Sequence, residues 1–534
     1  MGIPSYFKHV VTKYKEILIK LCDANIKTNN FYLDCNSFIY DALRNENLIE
    51  KSKNKSFLEK ELINIVCKNI EGHIMLVNPT NKVYIAFDGV APVAKLSQQR
   101  TRRCRTQFDK AILRNYNTPT SNNTIDWNTA AITPGTDFMK KLGDRVTKYF
   151  SNKRFNPLKI IVSSSYEPGE GEHKIYKLIR DDKKHQSQTT VIYGLDADLI
   201  MLTLNHLRFA DKIYLFRETP HFIRSIDKSI DPNENYFLDM PSMANYLTKY
   251  LNDGSDIENE SQKQRMFDYI FICFFLGNDF MPHFPALNIR TDGIDRLMSA
   301  YKYIVSKHGN LTTSDKINWR NVRKFIKYLA ENEEKYIKKE HSIREKQARF
   351  AGRPRENENE FEARYMSMPL IDRRKELYIN PREEGWQNRY YNITFGEIVR
   401  PEAKRDICIN YLEGLEWTFK YYTKGCIDWR WKYNYSYPPL LEDLIHYVPY
   451  FDQSILDEKP EDPLDSLVQL SYVLPGNSLS LLPQKLHIKL MKENPEWYCN
   501  ISDFSWEYCR YMWEAHPHLP DIDIDELVKI VEEI

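Results

Sequence analysis

Through roughly the first 305 residues, short apolar runs alternate with longer stretches whose apolar positions recur every three or four residues. The short runs, at 31–33, 82–87, 159–163, 190–194 and 212–216, read as strands. The longer ones, at 57–77, 138–150, 172–180 and 199–204, read as helices. This alternation predicts an α/β fold, a mostly parallel sheet flanked by helices on both faces. Residues 111–130 break the pattern with Asn115, Asn117, Thr118, Pro119, Ser121, Asn122 and Asn123, a composition that predicts a flexible surface loop.

From 312 to about 365 the periodicity fades. Lys, Arg and Glu dominate and Glu and Asn alternate over 356–360, so the expectation is solvated helix and linker. From about 377 aromatic residues crowd in, among them Trp386, Tyr390, Tyr391, Trp417, Tyr421, Tyr422, Trp429 and Trp431. That is too aromatic for a linker. The expected organisation is a core over 1–305, a charged helical or linker region over 306–376, and a second, aromatic-rich, mainly helical segment over 377–534 that packs on the core and completes it.

The 534 residues suffice for two or more core-forming units. With 75 basic and 74 acidic residues, the net charge of +1 says little, and the placement of charge matters more. Nine cysteines without a Cys-x-x-Cys pair argue against a zinc site or a disulfide framework and for reduced thiols. The N-terminal residues lack the apolar core of a signal peptide, and no apolar run approaches the ~20 residues of a membrane span. Tyr6 stands where a myristoylation signal wants Ser or Thr. The expectation is a soluble intracellular monomer, cytoplasmic rather than nuclear because no strong nuclear-localisation run is present.

Acids recur where strands end. Asp34 closes the first strand and Asp88 the second, while Asp196 and Asp198 follow the run at 191–194. Glu170 and Glu172 lie in Pro168-Gly-Glu-Gly-Glu-His, and Asp279 in Leu276-Gly-Asn-Asp-Phe. Singly, each has an ordinary explanation as a helix cap or turn residue. Together they place seven carboxylates outside the carboxyl edge of one sheet, where ligands of open α/β folds bind. So many acids cannot stay ionised side by side without cations. The pattern predicts a divalent-metal site, with two ions roughly 4 Å apart, and phosphoryl-transfer chemistry.

A basic cluster follows Asp88 directly. Drawn as a helix, residues 91–105 place Lys95, Gln99, Arg102 and Arg103 on one face. Such a face can grip a terminal phosphate through charge-assisted hydrogen bonds. A solvated basic helix is the simpler alternative, but adjacency to the acidic site favours the pocket.

Taken together, Met1-Gly-Ile-Pro, Leu33-Asp-Cys-Asn-Ser, Phe87-Asp-Gly-Val-Ala-Pro, Gln98-Gln-Arg-Thr-Arg-Arg, Pro168-Gly-Glu-Gly-Glu-His-Lys-Ile, Tyr193-Gly-Leu-Asp-Ala-Asp-Leu and Gly277-Asn-Asp-Phe-Met-Pro stand in the order found in the XRN-type 5′→3′ exoribonucleases. The chain resembles that family over residues 1 to about 300. Glu413-Gly-Leu-Glu-Trp, Gly425-Cys-Ile-Asp-Trp-Arg-Trp and Asp462-Pro-Leu-Asp resemble its second conserved region.

The resemblance implies a PIN/flap-endonuclease-like core, Mg²⁺ or Mn²⁺, and single-stranded RNA with a 5′-monophosphate as substrate. It implies the same seven metal ligands, and Lys95, Gln99, Arg102 and Arg103 as the phosphate pocket. Where the family places a base-stacking histidine six residues past the first aspartate, this chain has Tyr40, whose ring can stack but carries no imidazolium. Trp429 and Trp431 are the candidates for the opposing stack, with core packing the default for each. The chain stops soon after the second region, so the expectation is a minimal catalytic unit. Two other readings stay open: a structure-selective DNA nuclease of the flap type, and a non-catalytic RNA-binding scaffold.

Overall fold

The computed structural model describes residues 2–3, 5–44, 54–116, 127–152, 155–218, 230–231, 234–255, 260–354, 358–396, 400–459, 462–501 and 503–534. Seven strands form its main sheet: β1 (Leu18–Lys20), β2 (Asn30–Asp34), β3 (Lys82–Ala86), β4 (Lys159–Ser163), β5 (Thr189–Tyr193), β6 (Lys212–Glu218) and β7 (Asn235–Asp239). Their order is β1-β7-β6-β5-β2-β3-β4. Strands β6, β5, β2, β3 and β4 run parallel, and β7 lies antiparallel between β6 and β1. The mostly parallel α/β sheet expected from the alternation is present; the short antiparallel edge, β7 with β1, carries no comparable signal in the sequence.

The central strands are apolar along their whole length because both faces are covered. Alternate residues feed two separate cores. Tyr32, Tyr84, Ala86 and Ile192 belong to one, while Phe31, Leu33, Val83, Ile85, Val191 and Tyr193 belong to the other. Helices Lys55–Val77 and Asp137–Phe150 cover the second face through residues such as Leu62, Val66, Leu142 and Val146. Their starts are capped, Asn54 accepting from the Phe57 N–H and Thr136 from that of Met139. Helices Gly171–Asp181 and Asp198–His206 cover the first face through Ile175, Ile179, Ile200 and Leu204.

Two expectations need correction. The loop expected over 111–130 is only partly one: residues 111–116 prolong the basic helix Val93–Tyr116, residues 117–126 lie outside the described residues, and Trp127 is buried against Phe138. The region expected to be solvated helix and linker holds a 30-residue helix, Trp319–Ala348, with one side buried. Trp319, Val322, Phe325, Ile326, Leu329 and Ile337 lie on that side, and Glu333, Glu340 and Arg344 continue it. Charged residues at core-facing positions interrupt the apolar period, which is why the helix looks solvated in the sequence.

Beyond 377 the chain is mainly helical, as expected. Its largest helix, Pro401–Thr423, is buried along most of its length. One continuous hydrophobic cluster joins Tyr6 and Leu199 of the first part to Trp417, Trp431 and Tyr508 of the last. All nine cysteines are free. Among the described residues, no helix is long and apolar enough to cross a membrane.

Candidate metal centre and phosphate pocket

The chain steps from β2 to β3 and β4 on one side of the sheet and from β5 to β6 on the other, so the order reverses between β2 and β5. The crevice outside the strand ends at such a reversal is where open α/β sheets bind ligands. Asp34 is the last residue of β2, and Asp88 lies two residues past β3. Glu170 and Glu172 open the helix after β4, and Asp196 and Asp198 follow β5. Asp279 arrives from the far side of the chain, where the Gly2 N–H donates to it at 3.1 Å.

Backbone and side-chain donors fix these acids. Asp88 accepts from Asn36 Nδ2 at 2.5 Å and from the Gly171 N–H at 2.7 Å. Glu170 accepts from the Tyr421 hydroxyl at 2.8 Å. Two glycines are required by crowding: a Cβ on Gly171 would lie 2.7 Å from Asp34 Oδ1, and one on Gly2 would overlap the Asp198 carboxylate. Gly171 therefore does more than turn the chain.

The charges of these acids act on one another. Burial, then the Asp88 charge, raises the Asp34 carboxyl well above the ordinary range. Burial and Glu170 do the same to Glu172, and burial with Asp279 pushes Asp198 up to about 7. Asp279 goes the other way: burial raises its carboxyl, but Lys95 and the other nearby cations, Arg102 among them, together hold it low. Lys95 Nζ lies 2.5 Å from Glu170 and 2.8 Å from Asp279.

Of the four basic-face candidates, Lys95 is the one that lies against these acids. It does not stand with Gln99, Arg102 and Arg103 on an outer phosphate face but reaches into the acids, since a flexible ammonium goes where negative charge is densest. The other three remain one to two turns further along the helix. Arg102 is exposed and Gln99 half-buried. Arg103 is more telling: one guanidinium nitrogen is buried without a hydrogen-bond partner, and the other donates to the Ile132 carbonyl at a long 3.4 Å. Burial pulls its pKa down to about 10, with the nearby Tyr40 hydroxyl opposing. Tyr40 is 39% exposed, on the helix that leaves Asp34.

The tryptophans separate. Trp431 is buried, stacked on Trp417 at 5.1 Å, with its indole N–H toward Glu413. It is a core residue, and its face is already taken. Trp429 is partly exposed, and its carbonyl accepts from the Val93 N–H at 2.9 Å, at the start of the basic helix.

The donor set fits a divalent cation. Hard cations want oxygen ligands, and here buried carboxylates converge, Asp34 Oδ1 has no hydrogen-bond partner, and an ammonium already occupies the gap between Glu170 and Asp279. Glu170, Glu172 and His173 present ligand atoms within 4.8 Å of one another. His173 and Tyr421 carry no role in the sequence reading. The imidazole, kept neutral by burial, stacks on Tyr421 at 3.8 Å. His173 stands inside the acidic motif and was open to notice; Tyr421 lies 251 residues from Glu170, and nothing in the sequence links them.

Acids gathered at a switch point beside a basic helix define an α/β nuclease. The chain belongs to the XRN 5′-3′ exonuclease family. The family's N-terminal region, "XRN 5'-3' exonuclease N-terminus", matches residues 1–219, and "Xrn1 helical domain" matches 261–376 and 372–534. Similar proteins include the Drosophila melanogaster "5'-3' exoribonuclease 2 homolog", 29% identical over 99% of this chain and 70% of the relative. The Arabidopsis thaliana "5'-3' exoribonuclease 2" is 26% identical over 100% and 67%. The Saccharomyces cerevisiae "5'-3' exoribonuclease 1" is 26% identical over 90% of this chain but 40% of its own length. Among solved structures, the catalytic core of Rad2 in complex with DNA substrate aligns with a TM-score of 0.31 at 13% identity, over 64% of this chain and 79% of that one.

Proposed function

We propose that this chain is a 5′→3′ exoribonuclease that processively hydrolyses single-stranded RNA from a 5′-monophosphate end and releases nucleoside 5′-monophosphates. One juxtaposition carries the reading: Arg103, with one buried guanidinium nitrogen that has no hydrogen-bond partner, lies on the same helix that sends Lys95 into the carboxylates. Lys95 and Arg103 are separated by about 12 Å along the helix axis. A terminal phosphate held by Gln99, Arg102 and Arg103 therefore leaves the next phosphodiester near the acids.

Asp34, Asp88, Glu170, Glu172, Asp196, Asp198 and Asp279 would hold two Mg²⁺ or Mn²⁺ ions. Bound there, such ions supply Lewis-acid chemistry, lowering the pKa of water and neutralising charge on a departing oxygen. The chain itself does the positioning. Tyr421 orients Glu170, while Asn36 and the Gly171 N–H orient Asp88. Tyr40, exposed beside Arg103, offers its ring to the first base, a stack worth roughly 1–3 kcal/mol. Trp429 is the remaining candidate for the other side of that base.

The test is a digestion of one labelled RNA bearing a 5′-monophosphate or a 5′-triphosphate, with Mg²⁺ and with EDTA, beside a flapped DNA duplex. The monophosphate RNA should decay far faster than either alternative, and only with metal. Equal rates on the two RNA ends would reject end selection. Preference for the flap would favour a DNA nuclease, and absence of metal-dependent turnover a scaffold.

A further inference from the structure

Two buried cations flank the carboxyl edge of the sheet and bond to its main chain. Arg217 lies near the end of β6, beside the end of β5 that leads into Asp196. Lys174 lies in the first turn of the helix after β4, two residues past Glu172. Both are buried. Taking a charge out of water is costly unless its surroundings compensate it. Arg217 donates to the Leu195 carbonyl at 2.8 Å, one residue before Asp196. Lys174 donates to the Phe87 carbonyl at 2.8 Å, one residue before Asp88, and to the Ser164 carbonyl at 2.9 Å, just past β4. Between them they grip the exits of β3, β4 and β5.

The neighbouring acids supply the compensation. Burial lowers the pKa of Arg217 to about 10 and of Lys174 to about 8, with the charges of Asp196 and Asp88 respectively opposing, so both stay cationic at neutral pH. Arg217 has a further contact: its guanidinium lies over the Phe7 ring, 3.7 Å from the centroid. Phe7 belongs to helix Tyr6–Lys13, and the segment before that helix brings Gly2 against the Asp198 carboxylate and its N–H to Asp279. One side chain thus joins the Asp196 turn to the N-terminal segment that closes the site. Its Nε is buried without a hydrogen-bond partner, so the arginine costs stability that an apolar side chain of similar volume would not.

We infer that Arg217 and Lys174 are positioning residues for the metal centre: acting through main-chain carbonyls, they hold Asp196 and Asp88 at the spacing a cation requires while the acids repel one another. The inference rests on the metal-site reading above. Groups that orient a metal's ligands from behind commonly change its affinity by about 10–100-fold when removed. Here the orienting groups are also counter-charges, one on each flank of the acidic cluster.

The test measures Mn²⁺ binding directly, from the electron paramagnetic resonance signal of the free ion, alongside melting in EDTA. Arg217→Gln and Lys174→Gln should each weaken Mn²⁺ binding about tenfold. Arg217→Lys and Lys174→Arg, which return the charge, should recover most of that loss. Leu142→Ala, in the core on the other face of the sheet, should lower the melting temperature and leave Mn²⁺ affinity as in the wild type, the signature of a merely structural residue. A folded Gln variant with that signature overturns the inference. If neither Gln variant folds, Phe7→Ala decides, because it leaves Arg217 in place and removes the ring it rests on: weaker Mn²⁺ binding supports the inference and unchanged binding overturns it. A wild-type chain that binds no Mn²⁺ would instead strike the metal-site reading, independently of Arg217 and Lys174.

Discussion

Asp196 and Asp198 follow a buried strand, and their surroundings rather than their positions decide what they do. Replacing both with Asn should abolish Mg²⁺-dependent cleavage, by about 100-fold or more. Asp198→Asn alone should leave the melting temperature in EDTA unchanged or higher, because it removes repulsion among buried acids. Retained cleavage would remove them from the metal site. Asp198 also sets a pH dependence. Its folded pKa is raised to about 7 from 3.8, so its contribution to stability is fully present at low pH and is lost as pH rises through about 7. Melting in EDTA should therefore fall from about pH 4 to about pH 7 and level off above, and Mg²⁺ should flatten that fall; a pH-independent melting temperature in EDTA would contradict it. The seven acids were legible because each closes an apolar strand or sits in a turn- or helix-opening motif. Helical spacing put Lys95 on the right face, but spacing gives direction and not the balance of charge that draws its ammonium inward.

At the scale of elements, sequence periodicity succeeded where burial is apolar and failed where it is ionic. All five strand expectations correspond to β2 through β6 within a residue or two, because alternate side chains feed two apolar cores. Helix Trp319–Ala348 was misread because its buried stripe runs on through charged residues. Glu333 accepts from the N–H groups of Leu441 and Glu442, and Arg344 is held by Glu376 at 2.7 Å. Glu376 also takes Arg373 at 2.5 Å. Burial opposes ionisation of Glu376, yet the two arginines hold its pKa below the ordinary range. Its contribution is thus present above the usual glutamate pKa and lost as pH falls through the depressed folded value. Glu376→Gln should cost about 3–5 kcal/mol in urea unfolding near neutral pH, since two buried guanidinium groups lose their counter-charge. A loss under 1 kcal/mol would mean that the arginines find other partners.

At the scale of the whole molecule, the two conserved regions are not independent. One hydrophobic cluster runs through both, and Tyr421 from the second region reaches Glu170 in the first. A fragment ending near residue 305 should therefore expose much of that cluster and be recovered as aggregate without nuclease activity. A soluble, active fragment would show the first region to be self-sufficient. Such dependence could not be read from the sequence, because the residues that meet are hundreds of positions apart and the aromatic richness of the second region says only that it is ordered.

The second region holds the basic helix largely through main-chain atoms. Val93 donates to the Trp429 carbonyl, Arg100 to the carbonyls of Trp497 and Pro520, and Arg105 to that of Ala515. Carbonyl oxygens exist whatever side chain a position carries, so one partner in this clasp is indifferent to substitution. The clasp itself places no demand on the side chains at 497, 515 and 520, whereas it requires the guanidinium groups of Arg100 and Arg105. Two halves of a protein can in this way diverge at unequal rates and still close on each other.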